Sequence, residues 1–521
     1  MYLKKKEMSQ ESHDKTNRIA KNTLFLYMRM FIIMLVSLYT SRITLKLLGV
    51  TDFGIYNVVG GFVSMLAFLN SSLSQTTQRY LNVEMGKGNF EGMRKVFSMS
   101  FWTFIIIALL VIILAETVGL WVLLNVLTIP PDRINAAFWV YQISVIAFVF
   151  NVVVTPYNAI IIAYEKMSIY AYYSMIDVFL KLIIVFLLQY IHYDKLILFA
   201  CLVLTVNIIG GVLYIFTSRR LFNECRISFR WDKIIMKKLF YFSGWISLES
   251  IGHIMSNQGV NILMNIFFGP VLNAARAIAM QVFYAVQTFA TSFTTAIKPQ
   301  IIKSYAAENY EYVFKLVYSA AKLCFYLLFL ITVPICFNTN LILEIWLDKF
   351  PDWAVTFTQL ALVDMLIFTS SVPLAILSRA SGNIKNFQIV TTIGFLSIVF
   401  FIWLLWFCGA SVIYAFIIPI IVDCIIYIVK LYILRNDVKL SVNDFFYRVI
   451  VPLLKISLIS VILALLLYKI VTPHNFLGLI IYTIGTTLEI GSLIYIIGLS
   501  KTEHEILRSI IKLPIKKGKI F

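Results

Sequence analysis

The sequence predicts an all-α, polytopic membrane protein of about fourteen transmembrane helices, built as two six-helix bundles followed by two further helices. Three observations predict it: hydropathy, an alternation of basic loops, and a repeat within the chain. Of 521 residues, 60% are hydrophobic and 13% charged, and mean hydropathy is +0.87. A soluble core of that composition would leave large apolar patches in water. Apolar runs of about 20 residues, the length that crosses a bilayer, recur from Thr23 to Gly498.

Punctuation by Gly, Pro and charge sets the spans in order. The first half reads as 22–48, 55–78, 96–124, 135–163, 168–190 and 195–217. The second reads as 239–268, 271–297, 312–337, 353–378, 387–407 and 411–434, and two further spans follow at 446–470 and 476–499. The organisation is therefore a polar tail (1–21), an N-lobe (22–217), a linker (218–238), a C-lobe (239–434), two last spans (446–499) and a second tail (500–521). Residues 1–21 are polar and basic, and no cleavable signal peptide is expected. The linker carries Trp231 among alternating basic residues, a pattern for either an amphipathic helix on an anionic leaflet or a solvated connection.

Orientation follows from Lys and Arg in the short loops. One side collects the N-terminal lysines, Arg79, Lys87, Arg94, Lys166, Arg219 to Lys238, Lys298, Lys303, Arg379, Lys430 and the tail from Lys501 to Lys519. The other side holds Lys46, Arg133, Lys195, Lys349 and Lys469. Both termini are therefore expected in the cytoplasm of a cell whose inner membrane the chain crosses. The net charge of +18 is a topology signal, and no nucleic-acid partner is expected.

The repeat is ungapped over Leu47 to Phe97. Gly49 falls on Gly269, Gly54 on Ala274, Ser72 on Ser292, Asn89 on Asn309, Glu91 on Glu311 and Lys95 on Lys315. A second echo sets Thr155-Pro156-Tyr157 beside Val372-Pro373-Leu374, each ahead of a basic turn. Prolines in these places suit helices that bend. Both halves start on the same side, so an axis along the membrane normal relates them, with a substrate site between.

Ionisable residues within spans are costly and need a partner or water. Span 1 carries Arg29 and Arg42, thirteen residues or about 20 Å apart, with Ser37 and Ser41. Span 7 carries Ser243, Ser247, Ser250, Asn257 and Asn261 at helical spacing, with Glu249 and His253 beside that stripe. Span 8 adds Asn273, Arg276, Tyr284, Gln287 and Thr291, with Lys298 at its inner rim. Span 2 adds Asn57, Ser64, Ser71, Gln75 and Gln78. Polar glue between helices explains any one of these; a central hydrophilic cavity explains the set. Glu249, His253, Asp364 and Asp423 form the expected coupling or polar network, and Asp177 with Lys181 an internal pair.

No P-loop, HExxH, GxSxG or paired Cys/His cluster is present, so neither catalytic residues nor a metal site are expected. The six cysteines sit mostly in apolar spans, as small hydrophobes.

The stretches RIAKNTLFLYMRM, LGVTDFGIYNVVGG and SSLSQTTQRYLNVEMGKGN resemble those of bacterial polysaccharide-biosynthesis flippases. These export lipid-linked O-antigen or capsule repeat units, within the superfamily of multidrug and toxic compound extrusion transporters and the lipid II flippase. The resemblance implies two bundles in a V around a central cavity that opens to either face in turn. It implies an undecaprenyl-diphosphate oligosaccharide as substrate, gripped by Arg29, Arg42, Arg276, Lys298, Asn257, Asn261 and Gln75. It further implies membrane lipids and other polysaccharide-assembly proteins as partners. No cofactor is expected beyond a coupling ion, proton or sodium, and the membrane potential. Drug-exporting relatives tend to carry a carboxylate in span 1; here no Asp or Glu precedes Asp52 in that helix, and two Arg stand there. A cation-coupled drug exporter and a membrane-embedded glycan polymerase or ligase are the alternative readings.

Overall fold

The computed structural model describes residues 25–26, 28–33, 36, 39–40, 43–44, 46–49, 52, 55–56, 59, 67–125, 129–190, 193–225, 227, 231–347, 349–500 and 503–504. These are helical almost throughout. Described positions from Phe25 to Gly49 are all helical. There follow α1 (Ala67–Gly86), α2 (Phe90–Leu114, prolonged through a π-turn to Asn125), α3 (Ile134–Ala163), α4 (Met167–Tyr190) and α5 (Lys195–Leu221). Next come α6 (Lys233–Phe268), α7 (Pro270–Ala306), α8 (Tyr310–Phe337), a short α9 (Thr339–Leu347), α10 (Ala354–Ser381), α11 (Lys385–Phe407) and α12 (Tyr414–Val438). The pair α13 (Val451–Val471) and α14 (Phe476–Leu493) ends the order.

Among the described residues, ten helices are long and apolar enough to cross a membrane. This is a multi-pass membrane protein. The long helices outside those ten, α1, α6 and α7, are the ones whose Ser, Thr, Asn and Gln content the sequence singles out. With the described helical positions between Phe25 and Gly49, the long elements match the fourteen expected spans in order. The unexpected element is α9, whose nine residues rise only about 14 Å, too short to span.

Several helices outrun their apolar stretch. At 37 residues, α7 is about 55 Å long, against a hydrocarbon core of about 30 Å. A hydropathy reading stops where charge begins; the helix does not. Pairs such as Glu91–Lys95 (2.9 Å) and Glu311–Lys315 (2.6 Å) at i,i+4 support the turns beyond it.

The repeat in sequence is also a repeat of geometry. Gly49 and Gly269 both take left-handed φ, at 79° and 80°. At the next turn Gly88 (69°) is matched by Glu308 (60°). There the amides of Gly88 and Asn89 donate to Met85 and Glu84 carbonyls at 3.0 and 2.9 Å. Those of Glu308 and Asn309 donate to Tyr305 and Ser304 carbonyls, both at 3.0 Å. Asn89 and Asn309 then cap α2 and α8, accepting from Gly92 (2.9 Å) and Tyr312 (3.4 Å) amides. Pro156 and Pro373 lie inside α3 and α10, and left-handed Glu165 and Gly382 follow each by nine residues.

The chain divides into two compact units, Leu24–Ser247 and the part from Leu248 onward. The division falls inside α6 and not in the segment 218–238. Among described residues that segment holds the end of α5, one 3₁₀ turn (Asn223–Cys225) and the start of α6, with Trp231 stacked on Trp102 at 5.8 Å. In the first unit, buried Tyr141, Val140 and Ala137 pack with Leu196 and Ala200, while Phe97 meets Tyr157 edge-on at 5.3 Å. In the second, α10 packs against α7, α8 and α12. Lipid is as apolar as these side chains, so close packing, more than escape from water, holds such helices together. Gly252 and Gly259 let α6 lie directly on Thr392 and Val399 of α11.

Candidate functional site

In the second unit α6, α7, α10, α11 and α12 line a cavity of about 70 Å³. The spacing on α6 builds one wall: His253, Ser256, Asn257 and Val260 recur at i, i+3, i+4 and i+7. From α7 come Arg276, Phe283 and Tyr284; from α10, Asp364 and Phe368; from α11, Phe395; from α12, Pro419 and Asp423.

Arg276 is buried, at 6% exposure, and its guanidinium is held by neutral amides. One terminal nitrogen donates to Asn257 Oδ1 at 3.2 Å, the other to Asn261 Oδ1. Its Nε is buried with no hydrogen-bond partner. Thus α6 positions the cation through asparagine oxygens, and among the described residues no carboxylate is ion-paired with it. His253 packs edge-on to Phe395 at 5.2 Å, and Asp364 Oδ1 is buried without a partner. One cation, two carboxyl groups and an imidazole therefore share one small volume. Among the described residues, no three His, Cys, Asp or Glu side chains gather as a metal site would require.

The structure places the other expected residues elsewhere. Glu249 is ion-paired with Arg379 of α10 at 3.0 Å, a turn away from His253 on α6. Lys298 lies 22 residues beyond Arg276 on α7, about 33 Å along the axis, and does not line the cavity. In the first unit, Arg29 stacks over Tyr170 at 4.4 Å, and its Nε is buried without a hydrogen-bond partner. Gln75 is within reach of Ser71 on its own helix at 3.5 Å. Asp177 and Lys181 pair at 2.8 Å. Arg42, Ser37, Ser41, Asn57 and Ser64 lie outside the described residues.

Other polar groups escape a reading by sequence. Lys430, taken there as a loop cation, is 5% exposed and donates to Ser371 Oγ at 3.3 Å. Arg133 forks between Asp52 (Nε to Oδ1, 2.8 Å) and Asp194 (Nη1 to Oδ2, 2.6 Å). Burial works to raise the Asp194 carboxyl, but Arg133 and the amides of Ile197 and Leu196 outweigh it and hold it below its usual range. The signal for this cluster was faint: three charges far apart in sequence, each beside the end of an expected span.

No protein-family model and no curated protein sequence matches the chain. Solved structures do. A MATE transporter in its bent conformation matches with a TM-score of 0.71 at 14% identity, over 82% of this chain and 97% of that one. An outward-facing multidrug resistance MATE family transporter of the MOP superfamily matches at 0.70 and 14%, over 81% and 97%. A MOP superfamily transporter from Pyrococcus furiosus, whose binding pocket of reverse polarity suggests a different function for it, matches at 0.68 and 14%, over 81% and 97%. The chain therefore has the fold of MATE transporters of the MOP superfamily.

Proposed function

We propose that the protein is a transporter, and that its cargo is an undecaprenyl-diphosphate-linked oligosaccharide carried across the cytoplasmic membrane by alternating access. Surface polysaccharide, O-antigen or capsule, is the destined product. The observation that carries this reading is Arg276, a buried guanidinium in a cavity, held by two asparagine oxygens and left with an unpartnered Nε. A planar fork without a neutralising carboxylate suits a phosphate oxygen. Arg29, stacked on Tyr170, offers a second guanidinium. A diphosphate diester carries about two negative charges, so an inside-negative potential of 100 mV favours export by roughly 4–5 kcal/mol. The MOP superfamily transporter from Pyrococcus furiosus, of the same fold, has a binding pocket of reverse polarity.

The roles follow from this. Arg276 binds a phosphate, Asn257 and Asn261 fix its geometry, and Tyr284 lies against the glycan. Asp364, Asp423 and His253 take a proton or sodium ion that resets the empty carrier. The prenyl chain stays in lipid.

A second reading, a cation-coupled drug exporter, is favoured by Asp364 and Asp423 in the same cavity. One experiment separates the two. Proteoliposomes are given either a fluorescent undecaprenyl-diphosphate oligosaccharide or ethidium, with wild-type protein, Arg276→Gln and Asp364→Asn. The flippase reading expects lipid translocation, lost at least tenfold in Arg276→Gln, and no ethidium transport. Ethidium transport lost in Asp364→Asn, with no lipid translocation, overturns it.

A further inference from the structure

Lys322 sits on α8 inside an otherwise apolar run and is buried. An unpaired ammonium there would be expensive. Its partner comes from far along the chain: beyond the π-turn Ile494–Gly498 that ends α14, Glu503 folds back onto α8. Lys322 Nζ donates to Glu503 Oε2 at 2.6 Å and to the Gly498 carbonyl at 3.3 Å. Ser319 Oγ donates to Glu503 Oε1 at 2.5 Å. The Ser500 amide donates to Oε2 at 2.7 Å, and the Glu503 amide returns to Ser500 Oγ at 3.4 Å, a reciprocal Ser-x-x-Glu cap. Burial works to raise this carboxyl, but Lys322 and the hydrogen bonds outweigh it and hold it below its usual range.

The same face of α8 reaches further. Tyr318, Lys322 and Tyr326 stand one turn apart. Tyr326 donates to the Gly498 carbonyl at 3.4 Å. Tyr318 packs edge-on to Phe445, ahead of α13, at 5.6 Å. Phe445, fully buried, in turn packs edge-on to Tyr427 of α12 at 6.2 Å. Tyr427 OH donates to the carbonyl of Ser370 at 3.3 Å, and Lys430 donates to Ser371 Oγ. Ser370 and Ser371 precede Pro373, whose ring breaks the hydrogen-bond ladder of α10. The prolyl kink is thus gripped from α12, and that grip is backed by Phe445, Tyr318 and finally the ion pair.

We propose that the Lys322–Glu503 pair is a strap by which the C-terminal segment, through Tyr318, Phe445 and Tyr427, sets the stiffness of α10 at its Pro373 kink. Docked Glu503 holds the kink; release loosens it. This gives the two last spans, which lie outside the repeat, a role distinct from carrying cargo. It stands independently of what the cargo is. A line of touching side chains does not by itself establish coupling, so the test measures coupling directly.

The full-length protein in nanodiscs is compared by amide hydrogen exchange over residues 366–376, with 385–407 of α11 as reference. Glu503→Gln and Tyr427→Phe each speed exchange at the kink by about tenfold or more while α11 stays within twofold. The double variant is no faster than the faster single one. The charge swap Lys322→Glu with Glu503→Lys returns the kink to within threefold of wild type. Unchanged exchange at the kink in Glu503→Gln, multiplying effects in the double variant, or equal acceleration of α11 each overturn the strap. If Glu503→Gln fails to fold, Ser319→Ala removes one bond and keeps the ion pair. It speeds the kink by a few-fold, and no change there overturns the proposal.

Discussion

Arg276 matters less for its charge than for what holds it. A carboxylate partner would have made it structural; two asparagine oxygens leave its charge available. Single residues also report on the chain's history. Glu308 stands where its earlier counterpart is Gly88, in the same left-handed conformation, and it is exposed. Side chains pay a steric penalty there. Glu308→Gly should therefore gain about 0.5–1 kcal/mol, and Gly88→Ala should lose about as much, in thermal unfolding of the purified protein. Asp194 gives a pH-dependent case. Its folded-state carboxyl lies below the usual value, so its stabilising contribution is complete above the unfolded value of about 4. It is lost as pH falls below that, through the folded value. Asp194→Asn should cost about 1–3 kcal/mol at neutral pH and flatten stability over that acid range. A wild-type-like acid profile in the variant would assign the effect to other carboxylates.

Helices show where sequence reading succeeds and where it stops. Apolar runs located the spans because a bilayer demands continuous apolar length; of the polar stripe expected on α6, Asn257 lines the cavity, as does His253, expected beside that stripe. The reading missed helical turns outside the membrane, since charge at i,i+4 sustains a helix that hydropathy cannot see. Lys298, expected at the inner rim of a cavity that Arg276 lines, stands 22 residues beyond Arg276 on α7. The reading also missed Lys322 and Lys430 as buried groups because their partners, Glu503 and Ser371, are set by packing and by chain return. Aromatic walls such as Phe395 were invisible for a similar reason: in a chain with 42 Phe, none stands out by type. At this scale the packing of α6 is open to test. A Cβ on Gly259 would approach Val399 to 2.9 Å, so Gly259→Leu should destabilise by about 1–3 kcal/mol through overpacking. Gly244→Ala, in open space on the same helix, should be nearly neutral in the same melting assay.

The molecule as a whole repeats itself: the same left-handed turns, the same asparagine caps and the same prolines recur in each unit. Duplication of a bundle supplies a carrier with two similar parts, and specialisation then separates them. The second unit holds the Arg276 cavity and its carboxylates, and in the first Arg29 stacks over Tyr170. On the proposed function, a cargo with two negative charges would make transport electrogenic, a property of the protein as a whole. The most direct measurement is translocation of a fluorescent undecaprenyl-diphosphate oligosaccharide in proteoliposomes, with and without an imposed inside-negative potential of 100 mV. The account predicts translocation that rises at least tenfold with the potential and falls to the protein-free rate in Arg276→Gln. Translocation indifferent to both voltage and Arg276 would contradict it.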